Sequence, residues 1–162
     1  LKKLLLVSYE WSLRILFLTV ILLTGLVFFL SITDFPSVEP YIYPLQLLKT
    51  KPEKVGKNVW VGCYMQERKF LNFLKKNQIK VVISLLDVDM LHERRLLERE
   101  KSVLKEQSIK IYSVPMKPFL KDERKLKKLK RIISLNRRRR IYVHSYLGRI
   151  RTAYVREVLS GR

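Results

Sequence analysis

Tyr142-Val143-His144-Ser145-Tyr146-Leu147-Gly148-Arg149-Ile150-Arg151-Thr152 reads as a short buried strand, a tight loop with one glycine, and the first turn of a helix. Such a junction can cradle an oxyanion. The N–H groups of the loop converge on one point, the helix N-terminus adds a positive field, and an arginine closing the loop offers a planar two-pronged contact that lysine lacks. The phosphate-binding set expected from this pattern is Tyr146, Leu147, Gly148, Arg149 and Ile150 through their backbone, with Arg151. An ordinary strand-turn-helix junction with a surface arginine is the competing reading. It is disfavoured because glycine, arginine and threonine at these offsets behind an apolar strand rarely coincide.

The same residues resemble the signature of the cysteine-dependent phosphatases, in the dual-specificity and protein-tyrosine branch: His, Cys, five residues including a glycine, Arg, then Ser or Thr. His144, Gly148, Arg151 and Thr152 stand at the matching places, but Ser145 stands where the family carries its nucleophilic cysteine. The resemblance implies a thiolate that attacks phosphorus and a phosphocysteine that water hydrolyses. It also implies that Arg151 stabilises the moving phosphoryl group, Thr152 assists the leaving sulfur, and His144 props the loop from behind. A serine hydroxyl stays protonated at neutral pH and needs a base to act as nucleophile. Two readings of Ser145 follow, a phosphate-binding pseudoenzyme or a working site whose cysteine has been exchanged, and the fit of the other loop positions favours the second. This Ser145 form is expected to be inactive.

Family members protonate the leaving oxygen with an aspartate on the loop after the third strand. Here that loop runs from Ser113 to Asp122, and the expected place near Pro115 holds no carboxylate. Asp122 is the nearest candidate, equally well placed to cap the following helix. Asp87, at the end of the preceding strand, is the alternative. His92 falls in a charged helix and is expected to be exposed. No His/Cys/Asp spacing suggests a metal, and no cofactor is expected.

The positioning elements follow from hydrophobic periodicity. Strands are expected at Val59–Val61, Lys80–Leu86, Lys110–Val114 and Ile141–Val143, and helices at Glu67–Asn77, Met90–Gln107, Asp122–Asn136 and Thr152–Leu159. Alternating strands and helices predict an α/β fold with a mostly parallel central sheet flanked by helices, the cradle lying at the carboxyl end of a central strand. This order is similar to the dual-specificity phosphatase fold from Asn58 to Arg162, with Asn58–Tyr64 and Ile79–Leu86 resembling its first two strands. The family's closing helices have no counterpart before Arg162, so part of the pocket wall is expected from the connector ahead of the domain.

Three segments are expected: an N-terminal transmembrane anchor at 1–33, a stiff connector at 34–57 marked by Pro36, Pro40 and Pro44, and a phosphatase-like domain at 58–162. Ile15 to Ile32 carries no charge, and as a helix would be about 27 Å long, close to the thickness of a bilayer's hydrocarbon core. Tyr9 and Trp11 before it, and Tyr41 and Tyr43 after it, suit the interfacial belts. A cleaved signal is the competing reading, against which stands the lack of a small-x-small site. The lone cysteine, Cys63, reads as a buried core residue.

The chain carries a net charge of +20. Beyond residue 33 its 31 basic and 13 acidic residues leave +18. A cationic domain tethered to a bilayer is drawn to anionic headgroups, each basic residue near the surface contributing about 1 kcal/mol. Arg137–Arg140 reads as a solvated connection, and no nucleic-acid module is recognisable. Arg149 adds a second cation to the loop, as in lipid-directed members of the family such as phosphatidylglycerophosphate phosphatases. The expected partners are therefore the bilayer and an anionic phospholipid substrate, with the domain on the cytoplasmic side of the cell membrane. A protein-tyrosine or dual-specificity phosphatase is the second expectation, and a non-catalytic phosphate binder the third.

Overall fold

The computed structural model describes residues 2–38 and 47–160, with side chains from 11 to 29 and from 47 to 160. The chain divides into two units, Leu1–Glu39 and Pro40–Arg162. The first is a single helix, α1 (Lys2–Val38). Within it Trp11–Phe29 has a mean hydropathy of 2.3, none of it buried, and is long and apolar enough to cross a membrane. Pro36, expected to open an irregular connector, instead lies inside α1, two residues before its end. A proline in the last turn removes one N–H and stops the helix soon after it rather than at it. Pro40, Pro44, Tyr41 and Tyr43 lie outside the described residues, and so does the side chain of Tyr9.

The second unit is built on one five-stranded sheet. In chain order its elements are β1 (Glu53–Lys54), β2 (Val59–Cys63), α2 (Glu67–Lys76), β3 (Val81–Ser84), α3 (Leu91–Glu106), β4 (Lys110–Ser113), α4 (Glu123–Leu135), β5 (Ile141–Ser145) and α5 (Ile150–Ser160). The strand order is β1-β2-β5-β3-β4. The sheet is mixed: β2, β5, β3 and β4 run parallel, and the edge strand β1 pairs antiparallel with β2. This corrects the mostly parallel sheet predicted from the sequence. Glu53 and Lys54 form a strand too short and too charged to show period-2 alternation, and they place part of the supposed connector in the sheet.

β5 runs down the middle, Val143 level with Val61 on one side and Ile83 on the other. Side chains alternate across the sheet. Val59, Val61, Ile141 and Val143 join Val81, Ile83 and Leu85 under α4 and α5, where Leu126, Leu129, Ile132 and Val155 close one core. Trp60, Val82 and Tyr142 face the other way, onto Phe70, Leu74 and Leu104 of α2 and α3. Burial holds the Tyr142 phenol well above its ordinary titration range, and its O–H donates to Cys63 O at 2.6 Å. Cys63 itself is buried.

Every helix expected from the periodicity is present within one or two residues at its ends. Asp122 caps α4, accepting from the N–H groups of Arg124 and Lys125 at 3.0 and 3.3 Å. Leu129 of α4 is fully buried against the sheet. Leu129→Ala is expected to destabilise the fold by about 2–5 kcal/mol through lost burial and a residual cavity, read from urea unfolding midpoints at unchanged m-value.

Candidate functional site

The loop after β5 lies where the sequence pattern puts it, between the end of the central strand and the start of α5. Its carbonyls are held from outside. Tyr64 N–H donates to Ser145 O and Tyr146 O at 2.8 and 3.2 Å, while Thr50 donates to Leu147 O from its backbone and to Gly148 O from its hydroxyl, at 3.0 and 2.8 Å. With the carbonyls turned outward, the N–H groups of Leu147, Arg149, Ile150 and Arg151 donate to no backbone carbonyl among the described residues. Gly148 N–H donates to Ser145 Oγ at 3.1 Å. Gly148 sits at φ +72°, and a Cβ there would run into Thr50 Oγ1 and lie 2.6 Å from Cys63 N, so no other residue fits without moving the loop. Thr50, from the stretch expected to be connector, thus braces the loop from outside and does not itself line the cleft.

Arg151, in the first turn of α5, turns inward. It is 6 % exposed and lines the cleft over the loop together with Ser145 and Tyr146. Nη1 donates to Glu93 Oε2 at 2.6 Å, and Nη2 to Glu93 Oε1 at 2.5 Å. Nη1 also donates to Leu85 O at 2.9 Å and Met116 O at 3.3 Å. The Nε–H edge has no partner among the described residues. Glu93 also accepts from Asp87 N–H at 2.5 Å.

One turn-pair further along α3, Glu100 Oε1 lies 2.7 Å from His144 Nε2, both side chains 1 % exposed. Tyr142 stacks on the His144 ring, with centroids 5.5 Å apart and planes at 19°. His144 therefore faces α3 from the last strand, away from the cleft. Thr152 is fully buried, its hydroxyl donating to Arg149 O at 2.9 Å. Arg149 is exposed, and its Nε donates to Leu48 O at 2.7 Å.

The cleft holds about 280 Å³. Met90, Pro118, Phe119, Leu147 and Ile150 give it an apolar wall. Neither Asp122 nor Asp87 lines it. Asp122 is engaged as the α4 cap, and Asp87 is buried with Oδ1 accepting from Asp89 N–H at 3.1 Å. His92 corrects its expected exposure: it is half-buried in the cleft wall, its ring edge-on to Tyr146 with centroids 5.6 Å apart. Among the described residues no group of three metal-ligating side chains converges.

No protein-family model and no curated protein matches the sequence. Solved structures do match the fold. A putative phosphatase (DUF442) from Shewanella putrefaciens CN-32 aligns with TM-score 0.59 at 12% identity, over 73% of this chain and 77% of that one. The core catalytic domain of the PP-IP phosphatase Siw14 from S. cerevisiae aligns with TM-score 0.58 at 17% identity, over 68% and 64%. TpbA from P. aeruginosa, in a Cys-to-Ser form in complex with pTyr, aligns with TM-score 0.54 at 17% identity, over 68% and 65%. This is a phosphatase fold. At these identities the likeness extends to the architecture, and the chemistry rests on the residues of this chain.

Glu93, Glu100 and Thr50 escaped the sequence pattern. The first two carried a signal: they fall on the same α3 stripe as Leu96, Leu97 and Leu104, where a carboxylate must find a buried partner. Glu93→Ala leaves the Arg151 guanidinium buried without a counter-charge, so the variant is expected to lose about 3–5 kcal/mol in denaturant unfolding. Glu98→Ala, at an exposed i,i+3 pair with Lys101, should change stability by well under 1 kcal/mol.

Proposed function

We propose that this chain is a phosphate-monoester phosphatase of the cysteine-dependent type whose nucleophile position is held by Ser145. In this form it binds its substrate without turning it over. One observation carries the reading: a loop whose free N–H groups and buried, carboxylate-held arginine face one cleft at the carboxyl end of the central strand. Such an array has nothing to do in an ordinary turn, and it matches a tetrahedral dianion in charge and in donor number. The neighbouring TpbA structure, a Cys-to-Ser form with pTyr, accords with a serine form that binds phosphate esters.

The substrate we favour is the phosphate of an anionic phospholipid, phosphatidylglycerophosphate first, hydrolysed to phosphatidylglycerol and inorganic phosphate. The rim of the cleft supports it. Phe119 is 85% and Leu120 59% exposed, Met90, Leu91 and Ile150 are exposed as well, and of these Met90, Phe119 and Ile150 line the cleft beside Ser145 and Arg151. Exposed aromatic and aliphatic side chains beside a phosphate cradle suit the boundary between headgroups and acyl chains. The +18 of residues 34–162 would draw the domain to an anionic surface, and α1 would anchor it there, on the cytoplasmic side. A phosphotyrosine substrate is the second reading, favoured by the same apolar wall, which could hold an aromatic ring.

Ser145→Cys in the full chain is expected to create phosphate release that persists in EDTA and disappears again in Ser145→Cys/Arg151→Lys, since lysine cannot make the planar two-point contact. Faster release from phosphatidylglycerophosphate in anionic vesicles than from a phosphotyrosine peptide supports the lipid substrate, and the reverse order overturns it. No release from either substrate overturns the enzyme reading.

A further inference from the structure

Among the described residues that line it, the cleft has an arginine to hold a phosphoryl group but no aspartate to protonate what leaves. The loop after β4 contributes Pro118 and Phe119 to the wall and no acid. Asp122 is spent on the α4 N-terminus, and Asp87 on Asp89 N–H beneath the cleft floor. Asp89 is an exposed residue 3.9 Å from Lys117. Glu93 lines the cleft, but both its oxygens accept from Arg151, and Oε2 from Asp87 N–H as well, a set of bonds that only the ionised carboxylate can accept in full. Arg149 and Arg151 do not give up protons at physiological pH. Tyr146 carries a phenol, an acid that ordinarily titrates near pH 10 and is thus far weaker than an imidazolium.

Among the described residues that line the cleft, His92 remains. Resting on the phosphatase reading above, we propose that His92 is the general acid of this cleft, protonating the leaving oxygen from the α3 wall in place of the missing aspartate. Its position fits the role: it comes one residue before the carboxylate that orients Arg151, and its ring packs edge-on against Tyr146, the first residue of the phosphate loop. In the cysteine form, the thiolate bonds to phosphorus as the ester P–O bond breaks. The electron pair of that bond goes to the leaving oxygen, which takes the imidazolium proton and departs as an alcohol. The neutral imidazole then removes a proton from the water that attacks the phosphocysteine, the sulfur leaves as thiolate, and phosphate and imidazolium are restored.

The electrostatic surroundings of His92 set its pH range. Burial lowers its pKa most, Glu93 beside it on α3 raises it, and Arg151 across the cleft lowers it, for a net shift below 6.5. Lys49 lies beyond, over the far side of the Tyr146 ring. A depressed pKa leaves the acid form fully present only on the acidic side, so turnover of esters with poor leaving groups should fall as pH rises through that lowered value. A dianion in the cradle favours the imidazolium and shifts the fall upward in the complex.

The experiment uses the full-length Ser145→Cys chain, with and without His92→Asn or His92→Gln, on an alkyl phosphate and on p-nitrophenyl phosphate, whose leaving group needs no proton. The expected result, read in kcat/KM so that only the steps up to P–O cleavage count and not the shared hydrolysis of the phosphocysteine, is a loss on the alkyl ester of about 100-fold or more, with little change on the aryl ester and loss of the alkaline limb of the alkyl pH profile. Equal losses on both substrates, or a selective loss in Ser145→Cys/Asp122→Asn instead, overturn the assignment of His92 while leaving the phosphatase reading intact. No release by Ser145→Cys from any ester overturns both. Matched unfolding midpoints of the His92→Asn and His92→Gln forms exclude misfolding as the cause.

Discussion

The arrangement of this domain turns on a buried ion pair between Arg151 and Glu93. Taking a guanidinium and a carboxylate out of water costs several kcal/mol each, and their attraction offsets that only when geometry is good and the remaining polar atoms are satisfied. Here the fork of Arg151 meets both oxygens of Glu93, Nη1 reaches two further carbonyls, and Asp87 N–H completes Glu93. The carbonyls belong to Leu85, just past β3, and Met116, just past β4. The pair therefore ties four pieces of chain together beyond the carboxyl ends of the strands, and joins α3 on one face of the sheet to α5 on the other. An arginine so held presents its remaining edge to the cleft without a choice of rotamers, which lowers the entropy cost of engaging an anion.

A second pair repeats the device. Glu93 and Glu100 are seven residues apart on α3, and their partners Arg151 and His144 are seven residues apart around the loop. Seven helical residues span two turns, about 10.5 Å. The helix thus acts as a template that fixes both ends of the loop, the last strand at His144 and the first helical turn at Arg151. Between those ends, Thr50 and Tyr64 take the outward carbonyls and Gly148 makes the turn. The inward N–H groups follow from these constraints.

How much of this was legible depended on the range of the interaction. Continuous apolar runs such as Val81-Val82-Ile83 announce a strand buried on both faces, and the leucine spacing of α3 and α4 announces helices, because both signals are local. The strand, turn and helix start around the loop were legible for the same reason, an apolar run followed by a glycine. Glu93 was not, since its partner lies 58 residues away and a carboxylate in a charged helix ordinarily faces water. His92 was misread for the same reason: its neighbours in sequence, Met90, Leu91, Glu93 and Arg94, are each charged or exposed, while what packs against it is Tyr146, from another part of the chain. β1 and Thr50 fell in a stretch read as connector, where two charged residues and a threonine give no periodicity and gain their places only by pairing with β2 and the loop. Asp122 had two readings, and its bonds to two helical N–H groups engage it as a cap.

The charge of the domain and the charge of the cradle act at different ranges. The excess of basic residues creates a field that reaches roughly a Debye length, about 8 Å in physiological salt, and concentrates anions of any shape near the surface. Inside the cleft Glu93 balances Arg151, and Arg149, which also lines it, leaves a net positive charge. For the phosphate site proposed above, selection would fall to fixed N–H dipoles, the helix terminus and one guanidinium edge, which reward tetrahedral oxygens in one orientation. In that site a neutral Ser145 would add to the selectivity, because a thiolate at the same place would share the loop with the dianion and repel it. The exposed Phe119, Leu120 and Ile150 would then bear on what the proposed phosphate is attached to, since a freely diffusing polar phosphate would gain nothing from them.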